Sequence, residues 1–425
     1  MTRYDSKFAP LPRGARDLLP ATCRRWRQLG AQLLDRFEAW GYQQVRPPAI
    51  EYFEVLGRGL DGDAKERCIR FTESASGRLV TLRSDVTPQI ARMVAQRVGG
   101  TLEVGDQLRL SYQADPVAAP TNSMERAEHH QVGVELLGEI APHGDAELIA
   151  LADESLRAVG LTSHRFDLGE TGVARAVLDR LPEAAREDAR RGLARKDPEA
   201  LAALVGEVVS GGGETLPLVE LARLYGAPEP TLARASRVLV GLGLESELAR
   251  LGEVLRVLGT LAPSTLDRVE LDLGEARGHE YYTGLRLRVW APGAGEPVVR
   301  GGRYDDLLGR FGASMPASGF ALDLDALELA LVAENATVDL ELAPATVFAI
   351  ERAVADPQRR AQAASGAAER RAAGERAWTE ASDTLERAMA RAAHTGASHL
   401  VWLDAAGRRN FTWDADGWRE GRANA

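Results

Sequence analysis

The sequence has few of the features that mark secreted, membrane-bound or metal-binding proteins. Only two cysteines, Cys23 and Cys68, occur among 425 residues, and they lack CxxC spacing, so neither a disulfide framework nor a zinc cluster is indicated. No window approaches the ~18 uninterrupted apolar residues of a membrane span, and the N-terminus lacks the apolar run of a signal peptide. The sequence therefore predicts a cytoplasmic protein without a metal site or a cofactor.

Positive charge is also scarce. The formal net charge is -10 and the pI is near 5.4, which argues against nonspecific coating of nucleic acid, because phosphate binding needs a concentrated positive field. A local basic groove is compatible with these values. Residues 345–425 contain no lysine and carry 12 arginines against 11 acidic residues, so this last section is nearly neutral.

The chain is two to three times the roughly 100–200 residues of one domain, which predicts two or three units. Residues 22–42 carry apolar side chains at spacings of three and four, typical of an amphipathic helix that Gly41 ends. The runs CIRFTE and RLVTLR flank a small polar cluster and predict a hairpin. The following segment, SDVTPQIARMVAQR, predicts a helix with Ser84 and Asp85 as caps and Pro88 in its first turn.

Strands and helices alternate through the rest of the chain. Residues 114–128 are predicted to form a loop between two strands, and residues 171–258 are predicted to be helical almost throughout. Strand character returns near residue 268, and the run ALDLDALELALVAEN predicts a helix. The last section contains the strand candidates ATVFAIE, SHLVWLD and RNFTWD, and predicts a small α/β domain. Its Ala/Arg-rich middle is either a solvated helix or a partly disordered linker, and helix propensity favours the helix.

Several separated stretches together resemble the histidyl-tRNA synthetase family and its paralogue, the regulatory subunit of ATP phosphoribosyltransferase. They are GARDLLP at 14–20, TLRSDVT at 81–87, HHQVGVELLG at 129–138, RGHEYYTG at 277–284 and GGRYDDLLGRFG at 301–312. The resemblance implies an α+β fold of the class II aminoacyl-tRNA synthetase type, an antiparallel sheet flanked by helices. It implies a core domain at 1–332 with a helical insertion at about 171–262, and a degenerate anticodon-binding-like α/β domain at 345–425.

A further stretch, EAWGYQQVRPPAIEYFE at 38–54, resembles the first motif of the family, through which its members dimerise. Pro48 lies in the helix-to-strand passage that the family packs across its two-fold axis. A homodimer is therefore implied by the resemblance.

Histidine offers an ammonium, a carboxylate and two ring nitrogens, and a pocket for it needs a polar partner for each. Residues of these types stand at family positions. Strand alternation puts Gln131 and Glu135 on one side of a sheet, the resemblance assigns Asp85 and Thr87 to the amino group, and it assigns Arg277 to the carboxylate and a tyrosine to the imidazole. The predicted pocket comprises Asp85, Thr87, Gln131, Glu135, Arg277, Tyr281 and Tyr282.

Ordinary structural roles are the alternative for these residues. Alternating polar residues on a strand are more often a solvated face than a ligand site. Arg277 beside Glu280 is also compatible with a surface ion pair, and GGRYDDL with a simple turn between a strand and a helix.

The nucleotide half of the site differs from the family pattern. Class II synthetases hold ATP phosphates with an arginine in the second motif and another near the end of the third, because guanidinium groups neutralise the charge. No arginine occurs from residue 110 to residue 125, and the third-motif position is Ala326, within Asp325-Ala326-Leu327. The two losses predict that the chain does not aminoacylate tRNA.

The function implied by the resemblance is that of a non-catalytic regulatory subunit of ATP phosphoribosyltransferase. Its partner is then the short-form catalytic subunit, and together they carry out the first step of histidine biosynthesis and its inhibition by histidine. Free histidine is the candidate ligand, and no tRNA is expected to bind. Two alternatives stay open: a divergent histidyl-tRNA synthetase, and a stand-alone histidine-binding module.

Overall fold

The computed structural model describes residues 11–98, 106–122, 125–213, 215–276, 281–336, 344–354, 356–414 and 416–421. The chain divides into two compact units, Met1–Val338 and Asp339–Ala425. In the described part of the first unit, twelve strands are formed: Gln43–Gln44 (β1), Ile50–Tyr52 (β2), Arg70–Thr72 (β3), Leu79–Leu82 (β4), Leu108–Ala114 (β5), Gln131–Leu137 (β6), Arg165–Glu170 (β7), Tyr225–Gly226 (β8), Val269–Asp272 (β9), Leu285–Trp290 (β10), Val299–Arg303 (β11) and Ala317–Asp323 (β12).

The helices of the first unit follow the same chain order. They are Pro20–Ala39 (α1), Phe53–Leu56 (α2), Gly62–Glu66 (α3), Thr87–Arg97 (α4), His143–Ala158 (α5), Thr171–Asp179 (α6), Glu183–Arg195 (α7), Pro198–Ser210 (α8), Leu218–Ala222 (α9), Pro228–Val238 (α10), Glu245–Leu261 (α11), Pro263–Leu266 (α12) and Leu324–Ala333 (α13), with a 3-10 turn at Leu308–Phe311. Helices α6 to α12 lie between β7 and β9 along the chain, and we call them the helical insertion.

Nine of these strands form one large sheet in the order β1-β5-β6-β12-β11-β10-β7-β9-β8. All neighbours are antiparallel except β1 with β5 and β7 with β9. The other three strands form a small antiparallel sheet in the order β2-β4-β3, and the predicted hairpin is its β3–β4 pair.

Helix α1 covers one face of the large sheet, as the spacing of its apolar residues predicts. Trp26, Leu29, Leu33 and Phe37 are buried there, together with the β6 side chains that alternate from Val132 to Leu136. The helix ends where Gly41 adopts a left-handed φ of 85°. Burying this stripe contributes roughly 1.5–3 kcal/mol for each fully buried large apolar side chain.

The opposite face of the sheet packs against helix α4. Ile90 and Val94 of α4 are buried there with Leu110 and Tyr112 of β5. Because successive strand residues point to opposite faces, Glu135 of β6 faces this second core while Val134 faces the first. The α4 face therefore carries the polar groups of the predicted pocket.

The second unit has one sheet in the order β14-β13-β15-β16-β17, with a 3-10 turn at Arg352–Val354. Its elements are Ala345–Glu351 (β13), Pro357–Ala372 (α14), Arg376–Ser382 (β14), Leu385–His394 (α15), His399–Asp404 (β15), Gly407–Asp414 (β16) and Gly417–Gly421 (β17). Strand β13 is parallel to both neighbours, and the Ala/Arg-rich stretch is helical, as helix propensity favours.

Three details differ from the sequence expectations. The run predicted as a helix from residue 321 begins as strand β12, and α13 starts at Leu324, where the side chain of Asp323 accepts from Ala326 N–H and caps the helix. Strand β14 was not predicted, because its polar and charged residues hide the alternation. Ser84 and Asp85 do not cap α4, whose first turn follows Val86 and has no side-chain cap.

Candidate functional site

A buried carboxyl group, that of Glu135, lies at the centre of the α4 face. Glu135 is only 1% exposed. The hydroxyl of Thr87, in the first turn of α4, donates to its Oε1 at 2.7 Å, and the phenol of Tyr304 donates to its Oε2. Three segments that are remote in sequence therefore meet at this one side chain.

The protonation of Glu135 is set mainly by its burial. Loss of hydration raises the pKa of Glu135 to about 8, although the hydrogen bonds from Tyr304 and Thr87 oppose the rise, and the nearby Asp85 carboxylate adds to it. Near neutral pH the group therefore holds a proton. It can release this proton when a cationic or basic ligand group approaches.

Four buried tyrosines surround the carboxyl group. The Tyr281 ring lies 5.0 Å from the Tyr282 ring and 5.9 Å from the Tyr304 ring, both in edge-to-face geometry. The Tyr281 hydroxyl donates to Oδ2 of Asp85 at 3.3 Å. Burial raises the phenol pKa of all four tyrosines, Tyr112 included, so they remain neutral donors and acceptors.

The structure brings most of the predicted pocket residues together. Asp85 and Thr87 enter from α4, where Asp85 Oδ1 also accepts from Thr87 N–H at 3.1 Å. Tyr281 and Tyr282 enter from the segment before β10. Gln131 lies on the same strand face as Glu135 but at the beginning of β6, four residues away or roughly 13 Å along the strand. Arg277 lies outside the described residues.

Two residues of the site were missed from the sequence. Tyr304 follows β11 within GGRYDDL, which is equally compatible with a simple turn, and only its contact with Glu135 distinguishes the two. Tyr112 pairs with Gly133 across β5 and β6. A Cβ on Gly133 would lie 2.6 Å from the Tyr112 hydroxyl, so the glycine makes room for this ring. The sequence feature that could have indicated a large side chain here is Gly133, a single glycine in β6.

Gly319 of β12 also lies against the carboxyl group. A Cβ there would lie 1.9 Å from Oε2 of Glu135 and 2.4 Å from the backbone oxygen of Val134. A contact this short with backbone leaves no room for a side chain. The position therefore requires glycine.

A cluster of opposite charges occupies the beginning of α13. Arg126 donates to both carboxylate oxygens of Asp323, at 3.2 and 3.1 Å, and also contacts Asp325 and Glu296. Arg16 pairs with Asp325 from the N-terminal side. Burial alone would raise the pKa of Asp323, but its neighbours His129 and Arg126 lower it below its usual value. Asp323 is therefore firmly ionised.

Helix α13 continues this cluster. Glu328 accepts from the Trp26 indole at 2.7 Å and pairs with Arg25, both on α1. Ala326, at the third-motif position, is 0% exposed within the core. The arginines near this position are thus already paired with the carboxylates of Asp325 and Glu328.

Among the described residues, no group of three or more His, Cys, Asp or Glu side chains has an arrangement that could hold a metal ion. No helix within these residues is long and apolar enough to cross a membrane.

A mostly antiparallel sheet with a helical insertion and an acid-and-tyrosine pocket defines a protein of the class II aminoacyl-tRNA synthetase type. A family model described as histidyl-tRNA synthetase matches residues 14–327. The crystal structure of an ATP phosphoribosyltransferase regulatory subunit/histidyl-tRNA synthetase from Bacillus halodurans is similar, with a TM-score of 0.75 and 25% identity over 95% of this chain and 98% of that one. Histidyl-tRNA synthetase from Nostoc sp. shares the fold, with a TM-score of 0.73 and 18% identity over 98% and 97%.

Curated relatives indicate the branch of the family to which the chain belongs. A protein of Geobacter metallireducens named ATP phosphoribosyltransferase regulatory subunit is 36% identical over 331 residues, 76% of this chain and 74% of the relative. One of the same name from Anaeromyxobacter sp. (strain Fw109-5) is 40% identical over 328 residues, 76% and 94%. The chain therefore belongs to the histidyl-tRNA synthetase family, in the branch of the ATP phosphoribosyltransferase regulatory subunits. The predicted family resemblance and α+β fold class are confirmed.

Proposed function

We propose that the protein is the non-catalytic regulatory subunit of ATP phosphoribosyltransferase, and that it acts with the short catalytic subunit in the first step of histidine biosynthesis and in its inhibition by histidine. The proposal rests on the difference between the region around Glu135 and the region around Asp323. The surroundings of Glu135 keep groups that suit an amino acid, whereas around Asp323 the arginine that could meet a phosphate is already paired with carboxylates. The names of the curated relatives support the same role. Two free cysteines fit a reducing cytoplasm.

Free histidine is the ligand we assign to the region around Glu135. Asp85 and Thr87 offer an anion and a hydroxyl to the ammonium, and Arg277 is assigned to the carboxylate through the resemblance alone. Glu135 and the tyrosines offer polar partners to the imidazole. A carboxyl group with a pKa of about 8 suits this task, because it keeps its proton near neutral pH and can donate a hydrogen bond to an unprotonated imidazole nitrogen.

Electrostatics supports the proposed absence of synthetase catalysis. The phosphates of ATP would face Glu296, Asp323, Asp325 and Glu328, and displacing Arg126 from them would leave buried negative charge without a partner. A phosphate clamp typically stabilises such a transition state by ~3 kcal/mol or more. The divergent synthetase is therefore the less favoured alternative.

Recognition of tRNA by the second unit is not favoured either. Many of its arginines are engaged by acidic side chains of the same unit, which lowers the field available to RNA phosphates. The pairs include Arg352–Asp383, Arg370–Glu375, Arg387–Asp383, Arg391–Glu380, Arg409–Asp404 and Arg419–Asp414.

A homodimer through the first motif is the assembly we propose. One face of the small sheet is apolar. Tyr52 and Phe71 both pair with Val80 on β4, and Ile50 pairs with Leu82, so these side chains lie on the same face. Ile50 and Phe71 are 47% and 42% exposed. The face is continuous with the first motif at residues 38–54, and a second copy would bury it.

The test is to copurify the chain with the organism's short catalytic subunit and to assay ATP phosphoribosyltransferase with and without histidine. We expect activity that depends on this chain and that histidine inhibits. Complexes with Glu135→Gln or Arg277→Ala should stay active but need about tenfold more histidine for inhibition, the effect of losing one strong polar contact. Glu253→Gln, which removes only an exposed pair with Arg256, is the matched control.

The outcomes separate the parts of the proposal. A chain that neither binds the catalytic subunit nor changes its activity would contradict the regulatory role and favour a stand-alone histidine-binding module. Inhibition of both pocket variants at wild-type histidine concentrations would contradict the pocket assignment alone. Histidine-dependent pyrophosphate exchange would favour the synthetase.

A further inference from the structure

The helical insertion is attached to the segment that carries the pocket tyrosines. Strand β8 of the insertion pairs with β9, the strand that precedes this segment. Immediately after β9, Leu273 N–H donates to Leu224 O at 3.0 Å, and Lys196 Nζ lies 2.5 Å from Oδ1 of Asp272. The insertion therefore holds the segment at its beginning.

At this first attachment the backbone of the segment lies close to the backbone of the insertion. A Cβ on Gly274 would lie 2.4 Å from Leu221 O at the end of α9. The core also contributes here, since Arg288 of β10 donates to the buried Glu275 at 2.8 Å. This end is thus held by several groups at once, and no single substitution is expected to release it.

The end of the segment contacts the insertion at two further points. Arg175, on helix α6 of the insertion, donates from Nη2 to Tyr282 O at 2.9 Å. Two residues further on, Thr171 N–H at the start of α6 donates to Gly284 O at 3.0 Å. Tyr282 lies directly beside Tyr281, whose hydroxyl reaches Asp85.

The same segment is joined to Glu135 from the other side. Thr283 N–H donates to Arg303 O at 2.8 Å, and Asp305 N–H donates to Thr283 Oγ1 at 2.9 Å. Tyr304, between these two residues, donates to Glu135. Tyr282 is therefore linked to the donor of the buried carboxyl group through one backbone hydrogen bond and one hydrogen bond between backbone and side chain.

We infer that Arg175 is a positioning residue through which the helical insertion holds the segment with Tyr281 and Tyr282 against Glu135. Binding of a ligand in the pocket then also changes hydrogen exchange in the insertion. The positioning rests on the contacts above, and the coupling to histidine rests on the proposed function. Arg175 itself touches no ligand group. Its side chain lies on the exposed side of α6, so its loss is not expected to affect the core.

The experiment compares Arg175→Ala with Arg175→Lys, which keeps a cationic donor, and with Arg180→Ala. Arg180 is the matched control, because it is exposed at the end of the same helix and donates to a backbone oxygen, that of Leu242, at 3.2 Å. Hydrogen exchange of residues 281–287 is measured first without histidine. Histidine binding, thermal midpoints and exchange of residues 218–226 in the insertion are then measured for each full-length protein.

We expect Arg175→Ala to accelerate exchange at 281–287 without histidine and to weaken histidine binding about tenfold, as for loss of a charged hydrogen-bond donor. Arg175→Lys should restore most of the affinity, and Arg180→Ala should match the wild type. Histidine should slow exchange at 218–226 in the wild type and do so less in Arg175→Ala. The thermal midpoint should stay within about 2 °C, as for a surface substitution.

Unchanged exchange and unchanged affinity in Arg175→Ala would overturn the inference. So would a fall of the thermal midpoint that accounts for the lost affinity and that lysine does not repair. If the wild type binds histidine without any change at residues 218–226, the coupling is wrong and the positioning stands. If the wild type binds no histidine but Arg175→Ala still loosens 281–287, the pocket assignment of the proposed function fails and the positioning stands.

Discussion

The hydroxyl of Thr87 donates a 2.7 Å hydrogen bond to the carboxyl group of Glu135, 48 residues further along the chain. The contact joins the first turn of α4 to the middle of β6. It fixes the orientation of a carboxyl group that burial would otherwise penalise. In the proposed pocket this carboxyl group is thus held in place without a ligand, which would reduce the entropic cost of binding.

The raised pKa of Glu135 predicts a pH-dependent stability. The unfolded carboxyl group loses its proton near pH ~4.3, whereas the folded one keeps it up to about pH 8. Its contribution to stability is therefore fully present below the unfolded pKa and is lost as pH rises through 8, by at most ~1.4 kcal/mol per pH unit. Glu135→Gln should lack this decline. Urea unfolding at pH 5, 6, 7 and 8 measures the difference, and parallel profiles for the two proteins would contradict the assignment.

Arg126 is predicted to stabilise the charged cluster at α13. Arg126→Met leaves the buried, ionised Asp323 without its arginine partner, and should lower the free energy of unfolding by ~3 kcal/mol. Adding Asp323→Asn should recover part of this loss. Arg256→Met is the control, because its pair with Glu253 is exposed to solvent and should contribute little to stability. If Arg126→Met and Arg256→Met lowered the free energy of unfolding equally, the cluster would stabilise the fold no more than an exposed ion pair does.

Restoring the third-motif arginine is predicted not to create a synthetase. Ala326→Arg places a cation in a fully buried position and should destabilise the fold by at least ~3 kcal/mol without producing pyrophosphate exchange. The exposed Ala333 on the same helix provides the control, since Ala333→Arg should be tolerated. A stable and active Ala326→Arg protein would mean that a second phosphate clamp exists.

The apolar face of the small sheet is predicted to be a dimer interface. Phe71→Glu puts a charge into it and should raise the dimer dissociation constant by about tenfold or more, a typical hot-spot effect. Val240→Glu changes a 73% exposed residue of the helical insertion and should leave the dimer intact. Light scattering over a concentration series measures both. A wild-type monomer at micromolar concentration would refute the interface.

The sequence predicted best the elements whose burial is one-sided. Helix α1 and the β3–β4 hairpin have the regular periods that one buried face produces. The last three residues of strand β12 were assigned to the following helix because both faces of the strand are covered, so its small and apolar residues show no alternation. Strand β14 lies at a sheet edge, where exposed charges interrupt the pattern.

The site was predictable only in part, for a physical reason. Asp85, Thr87 and Glu135 stand in motifs whose residue types indicate their chemistry. Tyr304 becomes part of the site only because the turn after β11 places it beside β6. This placement depends on the register between β11, β12 and β6. The charged cluster needs Arg16, Arg126 and Asp325, which are separated by up to 309 residues. No local pattern carries that information.

The close contact of Gly319 with β6 also limits how the chain can vary over evolutionary time. Even an alanine at this position would meet the Val134 backbone and the Glu135 carboxyl group at once. Replacing Glu135 with a smaller residue removes only one of these two obstacles. A lineage that abandons the pocket should therefore lose the glutamate first and keep the glycine, so a homologue with glycine at 319 but without the acid would be recognisable as one that has given up this ligand site.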